Sequence, residues 1–359
     1  MFVVFHLRTG MPHGSEAADK EIRVVLRLIR HARNHNGFCG LRAWQSLDSL
    51  QPNLISGGGN VHILITGGTG LIGRQLCKVL LAEGHELTVL SRNPDSVPAK
   101  CGASVHAMAG LDEWQSGQTF DAVINLAGEP IVDARWTAQR KQVLWDSRVS
   151  LTENLVRRIA AARHKPGVLL SGSAVGYYGN HGDTGLDESA AAGEDFAARL
   201  CKAWEDAARG AESFGVRVCL LRTGLILSND GGLLGRMLLP FKLGLGTRLG
   251  DGKQWMSWVH IDDYVAMLLS LLRNSQASGP YNMTAPQPVT NAEFTAALAV
   301  VLHRPAPFIV PAMLLKLGMG ERACLLLEGQ RVLPKKMEAA RYRFAFTNLA
   351  NALHDLLGK

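Results

Sequence analysis

Long apolar runs are missing from this chain of 359 residues. A membrane-spanning helix needs about 18 or more consecutive apolar residues. The nearest approach, residues 310–327, is interrupted by Lys316, Glu321 and Arg322, so no membrane partner is expected. Cysteine is sparse. Cys39, Cys77, Cys101, Cys201, Cys219 and Cys324 are scattered, with no Cys-x-x-Cys pair. That spacing excludes a disulfide framework and a zinc knuckle, and it points to reduced thiols in a cytoplasmic protein. Aromatic residues make up only 6% and are not interleaved with a basic run, which argues against a nucleic-acid partner. His31 and His35 have the helical spacing of a metal-binding pair but no third ligand beside them, so no metal is expected.

The composition that remains, 47% hydrophobic and 19% charged, is that of an ordinary globular chain. The length suits one large α/β domain with a smaller second lobe. The net charge of +7 is partly local, because residues 1–60 hold seven Lys/Arg against four Asp/Glu. Within them Glu21–Arg33 has the pattern of a basic amphipathic helix, readable as a targeting or membrane-surface segment. Glu16, Asp19 and Glu21 oppose a transit peptide, which is normally poor in acids. We expect residues 1–60 to be an extension outside the core, with the working fold starting near Val61. An alternative GTG start codon would place a valine at such a position. The expected division is a dinucleotide-binding domain over 61–230 and a substrate-side lobe over 231–359.

Val61-His-Ile-Leu-Ile-Thr66 is a short β-branched run that reads as a buried parallel strand. Gly67-Gly-Thr-Gly-Leu-Ile-Gly73 follows directly, and Arg74–Glu83 reads as a helix stopped by Gly84. Glycines between a strand and a helix have separate tasks. Gly67 permits the tight turn, Gly70 lets backbone approach a pyrophosphate, and Gly73 lets helix pack closely on strand. The N–H groups around Thr69, Leu71 and Ile72 then face the phosphates at the positive helix end. This context makes a Gly-x-x-Gly-x-x-Gly spacing a dinucleotide site rather than a plain turn.

The second strand, Glu86–Leu90, ends in Ser91-Arg92-Asn93. A carboxylate there would bind the ribose 2′-hydroxyl of NAD. A hydroxyl and a guanidinium suit a 2′-phosphate instead, so NADP(H) is expected over NAD(H). Ala103–Met108 reads as a third strand and Asp121–Leu126 as a fourth, closed by Ala127-Gly128, small residues against which a ribose can lie. Helix Arg148–Arg163, strand Gly167–Ser171, helix Asp195–Ser213 and strand Arg217–Arg222 continue the alternation. The pattern is a Rossmann-type, doubly wound parallel sheet.

Thr66-Gly-Gly-Thr-Gly-Leu-Ile-Gly73, Asn125-Leu-Ala-Gly-Glu-Pro130, Ser171-Gly-Ser173 and Trp258-Val-His-Ile-Asp-Asp263 resemble the short-chain dehydrogenase/reductase superfamily. Within it they are similar to the atypical epimerase family branch, related to the NAD-dependent epimerase/dehydratases. The likeness runs from about residue 61 to the end. It includes a region over 314–356, marked by Leu327-Glu-Gly-Gln-Arg-Val-Leu-Pro334, similar to that branch's small domain of unknown function. The resemblance implies cofactor contacts from Leu126 and Ala127 through their backbone, from Arg148, and from Ile226 beside the nicotinamide. It also implies a homodimer paired through the two long helices. Some relatives carry a cell-division-inhibitor label.

Active members of the superfamily use a Tyr-x-x-x-Lys pair, in which the lysine lowers the tyrosine pKa. None of the five tyrosines here is followed by lysine four places on, and Ala197 and Cys201 stand where the pair is expected. This leaves Ser173, after the strand that carries the superfamily's catalytic serine, and Tyr178, with Lys202 or Arg222 to lower its pKa. Glu129, Tyr177 and His260 are candidates for substrate contact. Glu129 follows the fourth strand, where ligands bind in open α/β sheets. His260 is an acid/base group that Asp262 or Asp263 can orient, unless Asp262 simply caps the following helix. Two functions follow. One is an NADP(H)-dependent oxidoreductase or epimerase acting on a small molecule. The other is an NADP-binding sensor or scaffold.

Overall fold

The computed structural model describes residues 60–358; the expectations for residues 1–59 lie outside them. Seven strands form the main sheet: β1 (His62–Thr66), β2 (Glu86–Leu90), β3 (His106–Met108), β4 (Ala122–Asn125), β5 (Val168–Ala174), β6 (Arg217–Thr223) and β7 (Gly279–Met283). Their order is β7-β6-β5-β4-β1-β2-β3, and every pairing is parallel. The chain builds outward from β1 to β3, then crosses back to lay β4 on the other side of β1. That reversal opens a crevice at the strands' carboxyl ends. The register aligns those ends: Thr66 pairs with Leu90 on one side and Asn125 on the other, and Asn125 pairs with Ser171.

Both sheet faces are covered. Ile63 and Ile65 enter one core while Leu64, between them, enters the other. A period of two with both faces buried explains why the middle of β1, Ile63–Ile65, is apolar throughout. The helices around the site are α1 (Leu71–Ala82), α2 (Ala138–Trp145), α3 (Leu151–Ala161) and α4 (Phe196–Arg209). The first begins one turn before Arg74, because Gly70 already serves as its N-cap. The third strand is shorter than expected, since Gly102 at φ +131° and a Val105 N–H to Gly102 carbonyl bond hold 102–105 in a turn. Residues 146–150, which carry Arg148, form a wide π-helical turn before α3.

The expected boundary at Gly231 does not divide the fold. After a second lobe begins with α5 (Gly232–Lys242), the chain returns through α6 (Ile261–Arg273) to β7, which completes the sheet beside β6. Tyr264, Leu268 and Met283 share the core that holds Ile63. The lobe has its own core, where Trp258 and Phe241 pack with Phe294 and Leu298 of α7 (Asn291–Leu302). Leu353, from the C-terminal α9 (Leu349–Leu357), joins them; between these helices lies α8 (Ala312–Met319). Among the described residues no helix is long and apolar enough to cross a membrane.

Candidate functional site

The glycine loop leaves β1 with Gly67 at φ +72°, a conformation open to glycine but costly for other residues. A Cβ there would also meet the Leu126 carbonyl carbon at 2.6 Å and the Ala127 nitrogen at 2.8 Å. At Gly73 a Cβ would lie 2.4 Å from the Gly67 carbonyl oxygen. The absent side chains therefore let loop, helix and the end of β4 close on one another. The first intrahelical bond runs from Arg74 N–H to the Gly70 carbonyl at 3.0 Å. The N–H groups of Leu71, Ile72 and Gly73 precede it, so they are the ones a helix leaves for a ligand. This cradle fits a pyrophosphate.

Buried polar groups beneath the loop hold it in place. The Thr66 hydroxyl donates to Asn125 Oδ1 at 2.6 Å and accepts the Ala127 N–H at 3.2 Å. Asn125 Nδ2 donates to Thr152 Oγ1 at 2.8 Å and Ser171 Oγ at 3.2 Å. Thr152 Oγ1 donates to the Arg148 carbonyl and accepts from Trp204 Nε1. The sequence reading missed this network, and only the strand-terminal position of Thr66 and Asn125 hinted at it.

Ser91 and Arg92 stand at the end of β2, beside the loop. The Ser91 hydroxyl is turned onto Asn93, donating to its carbonyl at 3.1 Å. The Arg92 side chain is 90% exposed and forms an ion pair with Glu129, which follows β4. Because β1 lies between β2 and β4, this pair spans the glycine loop. Arg140 approaches the same carboxylate at 3.6 Å. Arg148, expected to reach toward the cofactor, donates from Nη2 to the Glu129 carbonyl at 2.8 Å, and its guanidinium lies over Trp204. Burial holds its pKa below the usual arginine value. It fixes the backbone of the 128–130 turn, and a Cβ on Gly128 would meet its guanidinium carbon at 3.0 Å. Ile226 lies on a strand, Leu225–Leu227, that pairs with Trp258–His260 and rests half-buried against the main core.

The proton-exchanging groups differ most from expectation. Ser173 is buried and donates to Glu205 Oε1 at 2.7 Å. Glu205 clasps Arg222 through both oxygens, at 2.8 and 3.0 Å. Arg222 also donates to the Tyr178 hydroxyl at 3.0 Å, and that hydroxyl donates to Asn282 Oδ1 at 2.6 Å. Tyr178 is 0% exposed. Burial outweighs the neighbouring guanidinium and pushes its pKa up to about 12. Burial thus keeps the Tyr178 phenol protonated, even though the Arg222 guanidinium, ion-paired with Glu205, pulls the other way. Lys202 does not supply the missing cation either, being paired on the surface with Asp206 at 2.6 Å. Ala197 and Cys201 are both buried, and burial raises the Cys201 thiol to about 12. Tyr177 is placed differently. It stays half-exposed, with the Arg222 guanidinium 3.6 Å from its ring centre.

His260, not Asp262, caps α6: its Nδ1 accepts the Asp262 N–H at 3.2 Å. It is 1% exposed, stacks on Phe346 and sets Nε2 3.4 Å from Asp355. Asp263 accepts the N–H groups of Ala345 and Phe346, each at 2.9 Å. These contacts tie the C-terminal stretch to α6 and leave His260 buried beneath it. His260, Asp262 and Asp355 have ligand atoms within 4.8 Å of one another. An imidazole that accepts at Nδ1 carries its proton on Nε2, so ligation there would cost the cap.

Residues 63–284 match the NAD dependent epimerase/dehydratase family, and residues 310–356 match a domain of unknown function, DUF1731. An epimerase family protein of Mycobacterium bovis is 40% identical over 302 residues, covering 82% of this chain and 97% of that protein. One from Bacillus subtilis is 37% identical over 299 residues, covering 83% and 98%. The crystal structure of a human epimerase family protein with NADPH superposes with a TM-score of 0.75 at 34% identity, covering 83% of this chain and 99% of that one.

Proposed function

The chain belongs to the NAD dependent epimerase/dehydratase family, and from that premise we propose that it is an NADP(H)-dependent oxidoreductase or epimerase acting on a small molecule. One observation carries the reading: the glycine loop, Arg92 and the Leu126-Ala127 backbone form a single row across the carboxyl ends of β2, β1 and β4. Gly67, Thr69 and the 70–73 turn would hold the pyrophosphate, Ser91 and Arg92 the adenosine phosphate, and Leu126, Ala127 and Gly128 the backbone side of a ribose. Ile226 would border the nicotinamide. The similarity to a human protein solved with NADPH supports the phosphorylated cofactor.

When bound, the nicotinamide supplies or accepts a hydride. The chain's own part is to bind, to orient and to handle a proton. Ser173 and Tyr178 keep their hydroxyl protons on Glu205 and Asn282. We therefore assign them to holding Arg222, and we move the contact with substrate oxygen to Tyr177, the half-exposed phenol on that arginine. Glu129, paired with Arg92, would border the adenosine-phosphate end of the cofactor.

The test is NADPH oxidation against a panel of small carbonyl compounds. Turnover that Tyr177→Phe lowers at least tenfold, with NADPH affinity unchanged, supports the reading. NADPH binding without turnover on any compound would favour a cofactor-binding sensor or scaffold. The buried Ser173 and Tyr178 hydroxyls are the observation that keeps this second reading in play.

A further inference from the structure

The second lobe presents an apolar face that nothing among the described residues covers. Helix α8, Ala-Met-Leu-Leu-Lys-Leu-Gly-Met, has no buried residue. Met313, Leu314 and Leu317 are 80%, 58% and 76% exposed, and their spacing sets them along one side of the helix. Just before it, Phe308–Val310 pairs with Thr247–Leu249 as an isolated two-stranded ribbon. Phe308 and Ile309 are neighbours on a strand and so point to opposite faces, yet they are 50% and 52% exposed. The strand Phe308–Val310 is therefore open on both faces, while its partner Thr247–Leu249 is half-buried and anchored to α7 by the Leu249 N–H on Asn291 Oδ1. Leu243 and Leu245 extend the face from the end of α5, at 65% and 51% exposure. That loop is joined to the ribbon's approach by the Arg304 guanidinium, which donates to the Lys242 carbonyl at 3.1 Å. Contiguous exposed apolar surface of this kind marks an interaction site.

Charge selects the occupant. The segments 242–253 and 303–319 present Lys242, Lys253, Arg304 and Lys316, with Arg248 half-buried behind them, against Asp251 and against Glu328, which faces Lys316. Around α8, Lys316 sits between Leu314 and Leu317 on an exposed turn, where a long side chain can bury its stem and keep its charge at a boundary. A second copy of the chain docked face to face would bring these like charges together. An anionic surface would not.

We propose that this face, α8 with the 247–249/308–310 ribbon, docks onto an anionic phospholipid bilayer. The leucines and methionine enter the headgroup–acyl boundary, and the lysines and arginines pair with lipid phosphates. The inference is independent of the cofactor site. It replaces the expectation of no membrane partner, which rested on the lack of a spanning helix.

Flotation of the full chain with vesicles tests it, comparing pure phosphatidylcholine with phosphatidylcholine containing phosphatidylglycerol. The expected result is partitioning about tenfold stronger onto the anionic vesicles, falling as salt is raised. The double variant Leu314→Asp/Leu317→Asp should drop to the phosphatidylcholine level while keeping its thermal midpoint. Both positions are exposed, and a variant with a lowered midpoint would be replaced by Leu317→Ser with Lys316→Gln. Equal binding to both vesicles, or binding to neither, would overturn the assignment. Binding unaffected by the variants would also overturn it and would move the contact to another segment, such as the basic pattern at 21–33. A dimer seen by light scattering that the variants dissociate would overturn it in favour of a second copy.

Discussion

At the residue scale the informative side chains are those that look catalytic in sequence but are held as structure. Ser173 follows the strand that carries the superfamily's serine and Tyr178 offered a substitute for the missing tyrosine, yet each is committed within the Glu205–Arg222 cluster. Removing one partner from a buried polar cluster costs about 1–3 kcal/mol, because the others lose their hydrogen bonds. Tyr178→Phe should therefore lower unfolding free energy by about that amount in urea. A variant as stable as the parent, with turnover lost, would return Tyr178 to the chemistry. Arg92 and Glu129 make the opposite case, since both lie at the open edge. In the proposed NADP(H) reading, their pairing would set a carboxylate against the 2′-phosphate for one guanidinium. Glu129→Gln is expected to tighten NADP⁺ binding and leave NAD⁺ nearly unchanged, as read by calorimetry. Equal shifts for both cofactors would place Glu129 elsewhere than opposite the 2′-phosphate.

At the element scale, legibility depended on how local the cause was. The first strand, its glycines and the helix after them could be read because their determinants lie within a dozen residues. Strand β7 could not. Gly279-Pro-Tyr-Asn-Met283 looks like loop, and proline is tolerated only because β7 is the sheet's edge. The Thr66–Asn125–Thr152 network was equally hidden, since its partners meet only after the sheet has formed. The α6 cap shows the same limit: Asp262 had the right residue type, but His260 holds the geometry. Asp263 gives this element a pH signature. Burial raises its carboxyl above the usual range despite the N–H groups it accepts. The folded state then holds that proton to higher pH than the unfolded chain does. Its contribution to stability is full below the unfolded carboxyl pKa and is lost as pH rises through the folded one. In a urea series from neutral to mildly acidic pH, the parent should gain stability relative to Asp263→Asn. A parent that loses stability relative to Asp263→Asn on acidification would contradict the burial argument.

At the scale of the whole molecule, fold and cofactor preference stand on different footings. Alternating strands and helices made the parallel sheet readable, and the strand order reverses beside β1, as a dinucleotide site requires. The return of the chain after Gly231 to complete the sheet as β7 was not legible, because hydrophobic pattern does not show that a chain will leave a sheet and come back to it. The proposed preference for the phosphorylated cofactor rests mainly on Arg92, a side chain with little to hold it except Glu129. A charge-assisted contact of this kind is worth roughly 1.5–3 kcal/mol, or about tenfold to a hundredfold in affinity. The direct measurement is calorimetric titration of the full chain and of Arg92→Ala with NADP⁺ and NAD⁺. The account predicts that the parent prefers NADP⁺ by about that factor and that Arg92→Ala removes the preference by weakening NADP⁺ alone. Equal affinity of the parent for both cofactors, or no binding of either, would contradict it.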